Sequence, residues 1–100
     1  MIFSYLYTST MKEESFVITK ALADESRFAI VKFIHNSTNV TCGQIVEKFS
    51  HLSQPTISHH LKVLDEALVI ITKKQGTGRS YKLHSSFLKS HGFSLEKIFS

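Results

Sequence analysis

The chain is poor in the residues that would signal a secreted, membrane-bound or catalytic protein. Its 100 residues include one cysteine, one proline and four glycines. With Cys42 alone, no disulfide closes within the chain, and a reducing compartment is expected. No apolar run approaches the roughly 18 residues that a membrane span needs. The apolar start, Met1–Tyr7, has neither a cationic flank nor a small-residue cleavage site, so it does not read as a signal peptide. The expectation is a cytoplasmic protein with no membrane partner. Glycine-rich phosphate loops are missing, and no nucleophile has an evident base beside it, so an enzyme is not expected. Hydrophobic residues make up 42% and charged residues 20%, an ordinary globular composition. A chain of this length suits one small domain, 1–100, with one core.

Positive charge is in excess, and its placement is informative. The formal charge is +4. From Met11 to Leu52, Lys12, Lys20, Arg27, Lys32 and Lys48 are balanced by Glu13, Glu14, Asp24, Glu25 and Glu47. From Ser53 to His84, Lys62, Lys73, Lys74, Arg79 and Lys82 outweigh Asp65 and Glu66. The surplus therefore sits in one stretch of the chain, as a surface for a polyanion requires.

That stretch opens with Ser53-Gln-Pro-Thr-Ile-Ser-His-His-Leu-Lys-Val-Leu-Asp-Glu-Ala-Leu68. Ile57, Leu61, Leu64 and Leu68 recur at helical spacing and predict one apolar stripe facing a core. Ser53 is a good N-cap, and the lone proline, Pro55, falls in the first turn, where a missing N–H costs little. The opposite side carries Thr56, Ser58, His59 and Lys62. Short hydrogen-bonding side chains at the positive end of a helix suit entry into a DNA major groove. Gln54 and Thr56 are placed to read bases, glutamine being matched to adenine. His59 lies opposite the stripe and is a candidate DNA contact, whereas His60 lies nearer to it and is expected to pack.

The flanking segments complete a pattern. Lys12–Ala23 reads as a first helix, and Asp24 as the N-cap of a strongly apolar second helix ending near His35. Thr41 and Gln44 match a capping box and predict a short third helix of about nine residues. With Ser50–Ser53 as the turn, residues 41–68 form a helix-turn-helix. Val69–Thr72 and Ser80–His84 are β-prone runs around a basic, glycine-containing turn, a hairpin over 69–84. Lys73, Lys74 and Arg79 on such a wing, with Lys62, would meet phosphates. Ser85–Ser100 reads as an amphipathic helix bent at Gly92. Met1–Thr10 could begin a helix or lie as an arm. The fold class expected is mainly α with a small β-hairpin, a winged helix-turn-helix with terminal helices at 12–23 and 85–100. Apolar residues in those terminal segments, among them Phe16, Phe87, Leu95 and Ile98, exceed what one small core hides and predict a homodimer.

Lys20-Ala-Leu-Ala-Asp-Glu-Ser-Arg27 and Leu52-Ser-Gln-Pro-Thr-Ile-Ser-His-His-Leu-Lys-Val-Leu64 resemble the ArsR/SmtB-type winged-helix transcriptional repressors, and the resemblance runs from about Phe16 to His84. It implies a homodimer that binds a roughly palindromic operator in double-stranded DNA, usually repressing, and released by an inducer that is often a metal ion. The residues depart from the family's metal sites. Where a Cys-x-Cys pair would stand, this chain has Val40-Thr-Cys42, with one thiol. On the last helix His84, His91 and Glu96 lack the required spacing. No metal or cofactor is therefore expected, and the inducer is unidentified. Cys42, at a helix N-terminus, is a candidate for a redox response. The competing reading is a winged-helix protein-interaction module that does not read DNA. A polar helix face beside a basic wing argues against it, because a protein-docking face would expose large apolar residues.

Overall fold

The computed structural model describes residues 11–100. Met1–Thr10 lies outside the described residues. The elements run α1 Met11–Leu22, α2 Glu25–His35, β1 Val40–Thr41, α3 Cys42–Lys48, α4 Gln54–Glu66, β2 Ile70–Gln75, β3 Gly78–Leu83, α5 Ser85–Ser90 and α6 Leu95–Ile98. Each of the three middle helices starts at a side-chain cap. The Asp24 carboxylate accepts the Arg27 N–H at 2.9 Å. Thr41 and Gln44 satisfy each other's backbone N–H groups, at 3.2 and 2.9 Å, in a complete capping box. Ser53 Oγ accepts the Thr56 N–H at 3.2 Å, and Pro55 occupies the first turn of α4.

The wing is a three-stranded antiparallel sheet in the order β1-β3-β2. Ile70 pairs with Leu83 at its base and Gln75 with Gly78 at its tip. Gly76 turns the chain there with φ 60°, a left-handed conformation that glycine adopts without a Cβ clash. The third strand adds to the expected hairpin. Val40 and Thr41 pair with Tyr81 and Ser80, so the approach to α3 is stitched to the wing. Local sequence does not mark so short a strand, because its partner lies forty residues away.

One core holds these elements together. Ile18, Ile30, Val31, Ile34, Val40, Ile45, Ile57, Leu64, Val69, Ile70 and Leu88 are buried within it. On α1 the inward residues are Ile18 and Ala21, while Phe16 is 63% exposed. Three expectations need correction. Leu68 does not continue the buried stripe: it is 45% exposed, beyond the end of α4, with φ 62°. Its N–H bonds to Asp65 O and that of Val69 to Leu64 O, both at 3.0 Å, a Schellman closure with leucine where glycine is usual. The last helix is not one helix to Ser100. Gly92, at φ 84°, makes the same closure, with Phe93 N–H on Leu88 O at 2.9 Å, and ends α5. The third helix has 7 residues, shorter than expected, because Phe49 already caps it.

Leu64→Ala is expected to lower unfolding free energy by about 2–5 kcal/mol, and Leu68→Ala by less than about 1 kcal/mol, in urea melts of the free protein.

Candidate nucleic-acid interface

The two faces of α4 are chemically distinct. Ile57, Leu61 and Leu64 are buried with His60, and Gln54, Thr56, Ser58, His59 and Lys62 are exposed. Ser53, also exposed, is committed first to its cap: its hydroxyl donates to Thr56 Oγ1 at 2.8 Å. Thr56 is thereby oriented as well as presented. The first-turn N–H groups, one fewer because Pro55 has none, point toward this same end and add partial positive charge to it.

The wing brings its cations beside this helix. Lys73, Lys74 and Arg79 are exposed, and Lys74 faces Arg79 across the β2–β3 ladder. The base of β2 is tied to the last turn of α4, since Thr72 Oγ1 donates to Asp65 Oδ1 at 2.9 Å. Between helix and wing lies a cleft of about 620 Å³, lined in part by Ser58, Lys62, Asp65, Arg79 and Tyr81. Every expected contact residue thus lies on α4, at its cap or on the wing that Asp65 holds to it.

Cys42 also lines this cleft, as the first residue of α3 and only half-buried. Its thiol lies within interaction range of the Tyr81 hydroxyl. Burial, and then Cys42, push the Tyr81 pKa above its ordinary 10.0, so the phenol stays protonated. The metal-binding expectation carried by the family resemblance finds no support in these side chains. Among the described residues, no group of three or more His, Cys, Asp or Glu could hold an ion. His91 is instead bonded to Glu14 and to a backbone carbonyl, and His84 stacks on Phe87 at 5.3 Å. The donors do not converge.

Two histidines make bonds that sequence spacing did not reveal. Arg27 Nη1 donates to His60 Nδ1 at 3.2 Å, and Arg27 Nε donates to Ala21 O at 2.8 Å. Burial, followed among the lowering effects by Arg27 and His59, puts the His60 pKa below 6.5 against the pull of Asp24. His91 is the opposite case. Its Nε2 meets Glu14 Oε1 at 2.8 Å and its Nδ1 meets Phe87 O at 2.7 Å, so both nitrogens face acceptors. Only the imidazolium donates to both, and the Glu14 bond, then the Phe87 bond, raise its pKa above 6.5. Arg27 and His60 lie 33 residues apart, and no local pattern joins them. Nothing local pointed to Glu14 and His91, which lie 77 residues apart.

A helix-turn-helix domain family model matches residues 22–72. The arsenical resistance operon repressor of Staphylococcus xylosus is 36% identical over 76 residues, 76% of this chain and 71% of that protein. The transcriptional repressor SdpR of Bacillus subtilis is 35% identical over 72 residues, 72% of this chain and 78% of that one. The chain belongs to the ArsR family of winged-helix transcriptional regulators. Among solved structures, the homodimeric winged helix-turn-helix DNA-binding domain of Mb0332 from Mycobacterium bovis matches with a TM-score of 0.69 at 17% identity, over 86% of this chain and 77% of that one. That likeness is one of fold alone. Like its ArsR-family relatives, the chain is a DNA-binding transcriptional regulator. No helix among the described residues is long and apolar enough to cross a membrane.

The two histidines give stability opposite pH dependences. His91, raised in the fold, contributes stability that is fully present below its unfolded value of 6.5 and lost as pH rises through the folded value. His60, depressed in the fold, contributes stability present above 6.5 and lost as pH falls through the folded value. Denaturant melts from about pH 5 to about pH 8 are expected to lose the alkaline decline in His91→Asn and part of the acid decline in His60→Asn.

Proposed function

We propose that the chain is a homodimeric repressor that occupies a roughly palindromic operator, working in the cytoplasm by occupancy and not by catalysis. Its 100 residues act as a single winged-helix domain. The N-terminal half of α4 enters the major groove. Gln54, Thr56, Ser58 and His59 meet base edges there, while Ser53 holds the cap and Lys62 meets phosphate. Lys73, Lys74 and Arg79 rest on the adjacent backbone and neutralise it.

The observation that carries this reading is the two-sided chemistry of α4. Its apolar side is fully spent on the core, and its exposed side is polar and lies beside a basic wing. A face built for docking a protein would leave apolar anchors on that side, and none of its exposed residues from Gln54 to Lys62 is large and apolar apart from the ring of Pro55. Dimerisation is supported by exposed apolar side chains near both ends of the described chain: Met11, Phe16 and Val17 on α1, and Ile98 on α6. The Mb0332 domain, described as homodimeric, shares the fold. Two-fold symmetry would set the two α4 helices on half-sites about one DNA turn, roughly 34 Å, apart.

Selection from a random duplex pool on the purified protein is expected to enrich an inverted repeat. On that duplex, Gln54→Ala and His59→Ala each cost about 1–3 kcal/mol and relax base preference at one position per half-site. Lys74→Ala and Arg79→Ala weaken binding to all duplexes alike and reduce the salt slope by about one each. An unselective, uniformly weak interaction with every duplex would instead favour a protein-interaction module.

A further inference from the structure

Among the four buried residues of α4, three are aliphatic and one, His60, is polar. Aliphatic contacts are non-directional, so they hold the helix against the core but tolerate small rotations about its axis. A hydrogen bond does not. The Arg27–His60 bond is therefore a directional restraint on α4, and its donor residue is itself held at two further points. Arg27's N–H is bound by Asp24, its Nε by Ala21 O, and its Nη1 reaches His60. Ala21 belongs to the last turn of α1, whose carbonyls have no partner within their own helix. One guanidinium thus joins the end of α1, the start of α2 and the middle of α4.

We infer that Arg27 is a positioning residue for DNA recognition, fixing through His60 the rotation of α4 at which the neighbouring Ser58 and His59 meet base edges. The inference rests on the reading of α4 as the recognition helix. Phosphate contacts, which need only charge near the backbone, tolerate a rotated helix; bidentate or edge contacts to bases do not. Losing the bond therefore costs discrimination more than it costs affinity. The bond also needs a neutral imidazole, because His60 Nδ1 must accept. The charged and titratable groups facing His60 are Arg27, Asp24 and His59, and Lys20 and Glu66 line the groove that adjoins Arg27. Protonation would remove the acceptor and set a cation against Arg27, with Asp24 giving partial compensation.

The test is the ratio of affinities for the selected operator and for a scrambled duplex, measured with the full chain alongside circular dichroism. His60→Leu keeps the bulk and removes the acceptor; His60→Asn keeps an acceptor near the Nδ1 position; Arg27→Lys keeps the charge and loses the fork. The ratio is expected to fall about tenfold in His60→Leu and in Arg27→Lys with helix content and binding to scrambled duplex retained, and to stay within about threefold of wild type in His60→Asn. If His60→Leu does not fold, Arg27→Lys and His60→Asn carry the comparison. In wild type the ratio declines as pH falls through the folded His60 value, which burial holds below the ordinary 6.5, and this decline is reduced in His60→Asn. An unchanged ratio in Arg27→Lys, or a loss in His60→Asn as large as in His60→Leu, overturns the inference while leaving the recognition helix intact. A wild-type protein that fails to discriminate between the duplexes overturns both.

Discussion

The structure depends on the burial of one side of α4. Ile57, Leu61 and Leu64 are removed from water almost completely, and each such side chain is worth on the order of 1.5–3 kcal/mol. Turning Lys62 inward would bury a charge, and turning Ser58 and His59 inward would bury polar groups that have no partners in the core. The outward face is consequently determined by the inward one. Packing energy, and not any property of DNA, turns Gln54, Thr56, Ser58 and His59 outward in the free protein, and the Arg27–His60 bond sets the finer rotation.

The helix is bounded at both ends by local devices. Ser53 and Pro55 define the start, and the left-handed Leu68 closes the end and turns the chain directly into β2. Thr72 then returns to Asp65, which places the wing beside the helix that precedes it. Asp65 is an acid on an otherwise cationic surface, and its bond to Thr72 gives it a structural task. The β1–β3 pairing adds a second tie, because it attaches the start of α3 to the same sheet. Helix, turn and wing are therefore tied together, with the exposed cations of β2 and β3 at the far edge.

Much of this was legible in the sequence because it is local. Asp24, Thr41 with Gln44, and Ser53 with Pro55 announce three helix starts through side chains that act within three residues. The Gly76 turn and the polar face of α4 follow from equally short-range patterns. What escaped is long-range or depends on rare backbone geometry. Periodicity extends the stripe to Leu68, but a helix closure needs a residue with positive φ, and leucine does not advertise one. Gly92 was visible as a bend, and only the Leu88–Phe93 bond makes it a stop. The Val40–Thr41 strand and the Glu14–His91 and Arg27–His60 pairs join residues far apart in sequence, so no window contains both partners. The exposed polar side of α4 was legible because its periodicity is local.

The most direct test of the account is a backbone amide chemical-shift map of the protein titrated with its selected duplex. The account predicts that the shifts concentrate on Ser53–Lys62 and Lys73–Arg79, with the buried core and the exposed apolar residues Phe16, Val17 and Ile98 unmoved by the DNA. Shifts centred on α1 and α6, with the N-terminal half of α4 silent, would contradict it.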